Sequence, residues 1–577
     1  MVRYVPEWAT LDPSAMTAAE PAQALNLLGG KWVESRTTTT IPDPLNGEPF
    51  VRVPDTQVDE IAPFVESLRA CPKSGLHNPF HRPERYRLLG DVCARAAAEM
   101  RKPEVEDYLS KAIARCSPKS RPQALGEVRI SRIFLENFGG DQVRFLARSF
   151  AVAGDHGGQA SSGHRWPFGP VAIVTPFNFP IEIPCLQLMG ALFMGNKPIV
   201  KVDSRVSVVF EQFVRLIIHC GLPPTDVDMI HCDGPVMNAL LLEARPASTL
   251  FTGSSVVAEK LAEELRGKIF IEDAGFDWKI LGPDVPTAAS MRQYVAWQCD
   301  QDAYACSGQK CSAQSILFVH ANWAEAGIYD SLRQLAARRS VTDLTVGPTL
   351  TVSNARFLEH MKRLLAIPGA KVLFGGEPFK GAEAVPALYG SMAPTAVFVP
   401  LRELIKGAPS THTARFEGTS GARVPGAGAK PIPIVEPSTA AAGSSHATHV
   451  QPGSNFELCT TEIFAPFQVV TEYTDAELGS VLRACEGMTH HLTAAVVSND
   501  ATFVQRVLGA TVNGTTYAGL RARTTGAPQN HWFGPAGDPR AAGIGTPEAI
   551  RLVWSCHREV IHDVGPIDAG WTLPPPS

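Results

Sequence analysis

Two observations predict an α/β fold with parallel sheets. From Pro170 onward, short β-branched runs alternate with helix-like segments. Residues 171–174, 197–202, 227–231 and 249–252 read as strands, and residues 206–220, 237–243 and 255–265 as helices. Such alternation buries a sheet on both faces, the usual setting of parallel strands. The pattern then restarts after Glu272, with strands at 315–319 and 371–374, which predicts a second α/β domain. A chain of 577 residues, 45% hydrophobic and 19% charged, is long and apolar enough for both.

The remaining segments follow in order. Residues 1–24 carry Pro, Ala and Thr without periodicity and are expected to form a flexible arm. Residues 61–147 are mainly helical in pattern, with Leu88, Leu89, Val92 and Ala96 at helical spacing. The most apolar stretch, 169–195, is interrupted by Pro176, Asn178, Pro180, Glu182 and Pro184, so it does not read as a membrane span. In residues 407–455, Gly, Ala, Ser, Pro and Thr dominate and apolar periodicity vanishes, which reads as a low-complexity surface insertion. The tail ends in Pro574-Pro575-Pro576-Ser577 and is expected to fray.

The net charge of −5 and the absence of a basic block argue against nucleic acid or an anionic membrane as partner. Twelve scattered cysteines indicate reduced thiols rather than a disulfide framework. Cys299, Cys306 and Cys311 lie close together, but nothing nearby completes a tetrahedral set, and His490-His491 reads as structural; no metal is expected. The first twenty residues hold one Arg and three acids, without the apolar core of a secretion signal or the Arg-rich character of a transit peptide.

Candidate chemistry centres on Asp302-Ala303-Tyr304-Ala305-Cys306-Ser307-Gly308-Gln309-Lys310-Cys311-Ser312-Ala313. A nucleophilic thiolate must be reachable, and its backbone must be free to aim an N–H at developing charge; Cys311, just after a Gly-Gln turn, suits that. Cys306 reads as a buried thiol nearby. Other pieces accompany it: Thr175-Pro176-Phe177-Asn178-Phe179-Pro180 after an apolar run, Lys201 ending a strand, Phe251-Thr252-Gly253-Ser254 opening a helix, Glu272 with Asp273 beside it, and Glu462-Ile463-Phe464-Ala465-Pro466. No Gly-x-Gly-x-x-Gly fingerprint follows an early strand, but the 251–254 turn offers amides and a positive helix end to a pyrophosphate. A plain serine helix cap is the bland alternative.

Together these pieces resemble the aldehyde dehydrogenase superfamily over roughly residues 25–406 and 455–566. The stretches 299–311 and 524–534 resemble its plant-type pyrroline-5-carboxylate dehydrogenase branch. The resemblance implies a Rossmann-type cofactor domain (25–149 and 168–271), an α/β catalytic domain (272–551) and a small β oligomerisation element (150–167 and 552–566). It also implies NAD-dependent oxidation of glutamate 5-semialdehyde to glutamate, in proline catabolism. Cys311 would be the nucleophile, Asn178 with the Cys311 N–H the oxyanion donors, and Glu272 the base, with Asp273 its rival. Lys201, Ser204, Thr252, Gly253, Ser254, Glu462 and Phe464 would hold NAD; Ser204 stands where the family has an acid, with Asp203 adjacent. Phe177, Ser312, Gly543 and Gly545 would contact substrate, with Phe533 also beside the aliphatic chain. A homodimer or higher oligomer in the mitochondrial matrix, otherwise the cytoplasm, is implied. The alternatives are another semialdehyde as substrate, or a non-catalytic scaffold on the same fold.

Overall fold

The computed structural model describes residues 4–273, 275–409, 450–526 and 532–577. Most of the insertion expected at 407–455 lies outside the described residues, as do residues 527–531 of the branch-like stretch 524–534. The flanks of the insertion are held together, since the Gln451 amide donates to the Gly407 carbonyl (3.1 Å) and that of Phe456 to Lys406 (3.0 Å).

Two seven-stranded sheets organise the chain. The first runs in the order Ile269–Asp273, Ser248–Gly253, Pro170–Thr175, Lys197–Val202, Asp228–Met229, Asn26–Leu28 and Lys31–Val33. Its first five strands are parallel, and the last two close the edge antiparallel. Its central strands are buried on both faces, which explains continuous apolar runs in place of alternation. Strand order reverses beside Pro170–Thr175, so the turns after it, after Ser248–Gly253 and after Lys197–Val202 open one crevice at the carboxyl ends of the strands. Open α/β sheets bind ligands at such a switch point. The second sheet runs Lys371–Phe374, Thr395–Phe398, Phe467–Tyr473, Gln314–His320, Asp277–Leu281, Thr493–Val497 and Thr515–Ala518, all parallel except the first. Glu272 belongs to the last strand of the first sheet, so the division between the sheets falls just after it rather than before.

Three expectations need correction. The N-terminal arm is not flexible over residues 4–24. Trp8, Leu11 and Met16 are buried, the Tyr108 hydroxyl donates to the Leu11 carbonyl (3.0 Å), and Ala22–Gln23 pairs with Pro49–Pro54. Irregular backbone without periodicity can be ordered by packing, and here Trp8 sits edge-on to Tyr108. The strand read at 227–231 shrinks to Asp228–Met229. The C-terminal β segment expected at 552–566 begins as the end of the helix Pro547–Trp554, and only Ser555–Asp563 pairs, antiparallel with Gln159–Pro167.

Candidate active site

The nucleophile loop is wound the wrong way for L-residues. After the helix Ala289–Tyr304, Cys306, Ser307 and Gly308 all have positive φ (54°, 57° and 67°). Each non-glycine residue there costs about 1–2 kcal/mol, which the surroundings must offset. They do so with hydrogen bonds. Ser307 Oγ donates to the Gly347 carbonyl (3.1 Å), and the Gly347 amide lies 2.7 Å from the same oxygen. Gln309 Oε1 accepts from the Leu350 amide (2.8 Å) while its Nε2 donates to the Pro348 carbonyl (3.2 Å). Gly308 permits a second closure, because a Cβ there would collide with the Ala465 carbonyl next to Glu462. Gly275 does the same on the other side, since a Cβ would strike the Cys311 carbonyl. The loop thereby hangs Cys311 at a junction. The Cys306 thiol is spent on Gln123 Oε1 (3.2 Å), and Cys299 lies against Lys279 Nζ (3.7 Å), so the three clustered cysteines face different partners.

Asn178 is buried, and its Oδ1 has no partner among the described residues. Its backbone is anchored from beneath. Lys119 Nζ donates to the Asn178 carbonyl (2.6 Å) and to Glu127 Oε2 (3.0 Å), and both charged side chains are buried. The other Glu127 oxygen accepts from the amides of Ile181 (2.8 Å) and Glu182 (3.3 Å). One buried ion pair thus fixes both ends of the Asn178–Glu182 turn. Sequence reading missed Lys119 and Glu127, since two charges eight residues apart look like an ordinary solvated pair.

Glu272 is buried, with neither carboxylate oxygen in a well-formed hydrogen bond. Burial pushes its pKa up to about 7; the Cys311 thiol and Thr252 hydroxyl nearby pull the other way, and Asp273 adds to the rise. Burial first, then the charges of Glu272 and Asp277, push the Cys311 thiol well above its ordinary value, so it rests as the thiol. Cys311 is nonetheless partly exposed to a cavity.

Two cavities meet there. The larger, about 800 Å³, follows the crevice of the first sheet. Lys201, Thr252, Gly253, Ser254, Glu462 and Phe464 line it, as expected of cofactor contacts. Ser254 sits at the N-cap of the ten-residue helix Ser255–Glu264, yet its side chain makes no cap hydrogen bond, so the plain-cap reading is not what is built. An extended dinucleotide fits this crevice, with amides and a non-capping hydroxyl at a helix N-terminus suited to phosphate, and Lys201 and Glu462 in its wall. Ser204 does not line the cavity; Asp203 and Arg205 do, joined by two hydrogen bonds of 2.9 Å. Burial would raise the Asp203 carboxyl, but Arg205 and then Lys201 outweigh it and hold it below its usual range. The Arg205 guanidinium lies 5.2 Å over Phe177, which packs edge-on to Phe464 (5.9 Å). Phe177 therefore stands on the cofactor side, not among the residues of the substrate cavity. The rival base Asp273 also lines only the larger cavity, 3.8 Å from His490.

The smaller cavity, about 400 Å³, contains Ser312 and Phe533 as expected. Gly543 and Gly545 are not in its wall; Ile544 is, and its amide donates to the Phe533 carbonyl (2.8 Å). Side chains not foreseen here are Gln123, Glu127, Glu182, Lys310 and Arg523. Asp302 holds the Arg523 segment in place, accepting from the Thr524 amide (2.8 Å), Thr525 Oγ1 (2.7 Å) and the buried Lys279 (2.7 Å). That explains why the two branch-like stretches occur together. Ile183, Glu272 and Cys311 line both cavities.

A thiol between an elongated crevice and a polar pocket, with a buried acid beside both, is the arrangement an oxidoreductase working through a cysteine would need. The chain belongs to the aldehyde dehydrogenase family, which matches residues 32–397. It is 58% identical to a probable aldehyde dehydrogenase of Linum usitatissimum, over 98% of this chain and 94% of that protein. It is 56% identical to the mitochondrial delta-1-pyrroline-5-carboxylate dehydrogenase 12A1 of Arabidopsis thaliana, over 98% and 93%. Among solved structures, an NAD-dependent aldehyde dehydrogenase from Sinorhizobium meliloti superposes with a TM-score of 0.73 at 18% identity, covering 96% of this chain and 97% of that one.

Proposed function

We propose that the protein oxidises glutamate 5-semialdehyde, the open form of pyrroline-5-carboxylate, to glutamate with NAD. The identity to the Arabidopsis relative supports the substrate. The observation that carries the mechanism is that Cys311 and Glu272 are shared by both cavities. Aldehyde carbon from the smaller cavity and a hydride acceptor from the larger one can meet beside these two residues.

In this reading, Cys311 loses its proton to Glu272 and its sulfur adds to the aldehyde carbon. The oxyanion accepts hydrogen bonds from the Asn178 side-chain amide and the Cys311 N–H. Bound in the larger cavity, NAD would supply the hydride acceptor, and Cys311 would then carry the acyl group as a thioester. Glu272, once it has released the thiol's proton to solvent, takes a proton from water, whose oxygen attacks the thioester carbon; the sulfur leaves as thiolate, regains a proton from Glu272, and glutamate is released. A group titrating near 7 suits both tasks. Overall, aldehyde, NAD and water give acid, NADH and a proton.

The three-stranded sheet of Ala151–Ala153, Gln159–Pro167 and Ser555–Asp563 supports an isologous dimer contact, because Phe150, Val152 and Ile561 on or beside it are exposed. The mitochondrial matrix is the proposed location, by likeness to the Arabidopsis relative. Among the described residues, no helix is long and apolar enough to cross a membrane.

The test is steady-state turnover with pyrroline-5-carboxylate, succinate semialdehyde and glutarate semialdehyde, with NAD and NADP in turn. Highest kcat/KM for pyrroline-5-carboxylate with NAD is expected. A clear preference for another aldehyde would overturn the assignment.

A further inference from the structure

Glu182 is a carboxylate that the reaction as derived does not use. It opens the helix Glu182–Phe193, four residues after Asn178, and lines the smaller cavity with Cys311. It is only 9% exposed, yet its carboxylate makes no hydrogen bond or ion pair among the described residues. Glu127 in the same wall is the opposite case, fully satisfied by Lys119 and two amides. A buried acid left without a partner is costly, and proteins keep such groups paired unless a ligand supplies the partner. Burial, with the charge of Glu127 behind it, pushes the Glu182 pKa up to about 8, against the pull of Lys119 and Lys310. The cavity also holds positive charge. Lys310 and Arg523 line it, and Arg523 is exposed, with its guanidinium 5.5 Å over Tyr517.

One pocket thus presents an unpartnered buried acid and two cations on the substrate side of the nucleophile. That pattern complements a zwitterion. Building on the function proposed above, we infer that Glu182 receives the α-ammonium of the amino-acid semialdehyde, with Arg523 taking its carboxylate, and that Glu182 sets the preference for aldehydes bearing an amine. Anchoring the head group at its nitrogen also fixes how far the aldehyde carbon reaches toward Cys311. Selectivity arises because an aldehyde lacking the amine leaves the acid buried and unpaired, the condition under which polar sites discriminate most strongly.

The test compares glutamate semialdehyde with glutarate semialdehyde, which has the same chain and carboxylate but no amine, using the full chain with NAD. In Glu182→Gln, the ratio of the two kcat/KM values is expected to fall roughly 10- to 100-fold, chiefly through KM for the amine-bearing substrate. Glu182→Asp, which keeps a carboxyl group able to ionise against the ammonium, should recover part of the ratio. Inhibition by the products gives a readout independent of turnover: glutamate should lose its advantage over glutarate in Glu182→Gln. An equal loss toward both aldehydes would mark Glu182 as a structural or proton-relaying group and overturn the inference, as would an unchanged ratio. A wild-type chain that oxidises glutarate semialdehyde but not glutamate semialdehyde would instead overturn the functional reading on which the inference rests.

Discussion

The larger cavity, about 800 Å³, is walled mostly by strand ends and the turns that follow them, whereas the smaller, about 400 Å³, is walled by side chains brought from distant helices and loops. On the cofactor side, the charges at the end of the strand Lys197–Val202 are paired locally, Asp203 with Arg205 two residues on. On the substrate side, Glu127 and Lys119 pair across a helix boundary to hold a turn some fifty residues later, and the Glu182 carboxylate makes no hydrogen bond or ion pair among the described residues. A cofactor site that serves many substrates can be built from backbone geometry common to parallel sheets. A site that must recognise one small molecule needs side chains whose placement depends on the whole fold.

Cys311→Ala should have the largest effect because it removes the atom on which both cavities act. Turnover is expected to fall roughly 10⁴-fold or more, while NAD still binds. NADH production and NAD titration check this. Retained activity in Cys311→Ala with loss in Cys306→Ala would break the comparison at its centre.

Next is the base that both cavities share. Glu272→Gln should lower steady-state turnover about 10²- to 10⁴-fold and leave a single burst of NADH, because deacylation stalls after hydride transfer. Asp273→Asn should show no such burst, as Asp273 faces the cofactor side alone. The base works ionised, and its pKa is raised to about 7. Wild-type kcat should therefore rise with pH through that value and level off above it, and a pH profile that is flat across neutrality would count against Glu272.

Lys119→Met probes the scaffold beneath the substrate side. It leaves Glu127 buried and unpaired, an effect of about 3–5 kcal/mol in comparable buried pairs. Thermal melting should show a lowered Tm, with kcat reduced because the Asn178 turn loses its anchor. Adding Glu127→Gln should recover part of the Tm, since the stranded charge is gone; no recovery would mean that the pair is not the anchor.

The smallest effect belongs to the cofactor side. Asp203, the acid beside Ser204, could repel a 2′-phosphate, but its charge is met by Arg205. Wild-type preference for NAD over NADP should then be modest. Arg205→Ala frees the carboxylate and should widen the NAD-to-NADP ratio of kcat/KM by about tenfold. An unchanged ratio would show that neither residue meets the 2′ position.

The legible parts of the site were those whose chemistry is local. Cys311 after Gly308-Gln309 and the 251–254 turn are contiguous motifs, and the strand beneath Lys201 spans the residues expected of it. Phe177, expected at the substrate, lines the larger cavity instead; a phenylalanine between a proline and an asparagine gives no sign of which cavity it faces, and packing on Phe464 and Arg205 decides that. Gly543 and Gly545 suggested exposed amides, but the loop spends the Ile544 amide on Phe533. Lys119, Glu127 and Arg523 carried no signal, as isolated charges look alike whether solvated or buried.

By itself, the sequence determined the α/β class and marked out the candidate nucleophile, its candidate oxyanion donor and the strand-end turns proposed for the cofactor, because alternation, strand-end turns and a reachable cysteine are written over a few adjacent residues. Tertiary structure alone decided which acid faces which cavity and which charges are paired. It also ordered the N-terminal arm, which has no periodicity to read. Those outcomes depend on burial and on partners more than two hundred residues away, such as Thr10 on Gln212 or Asp302 on Thr524, and no local pattern encodes the distance between two side chains.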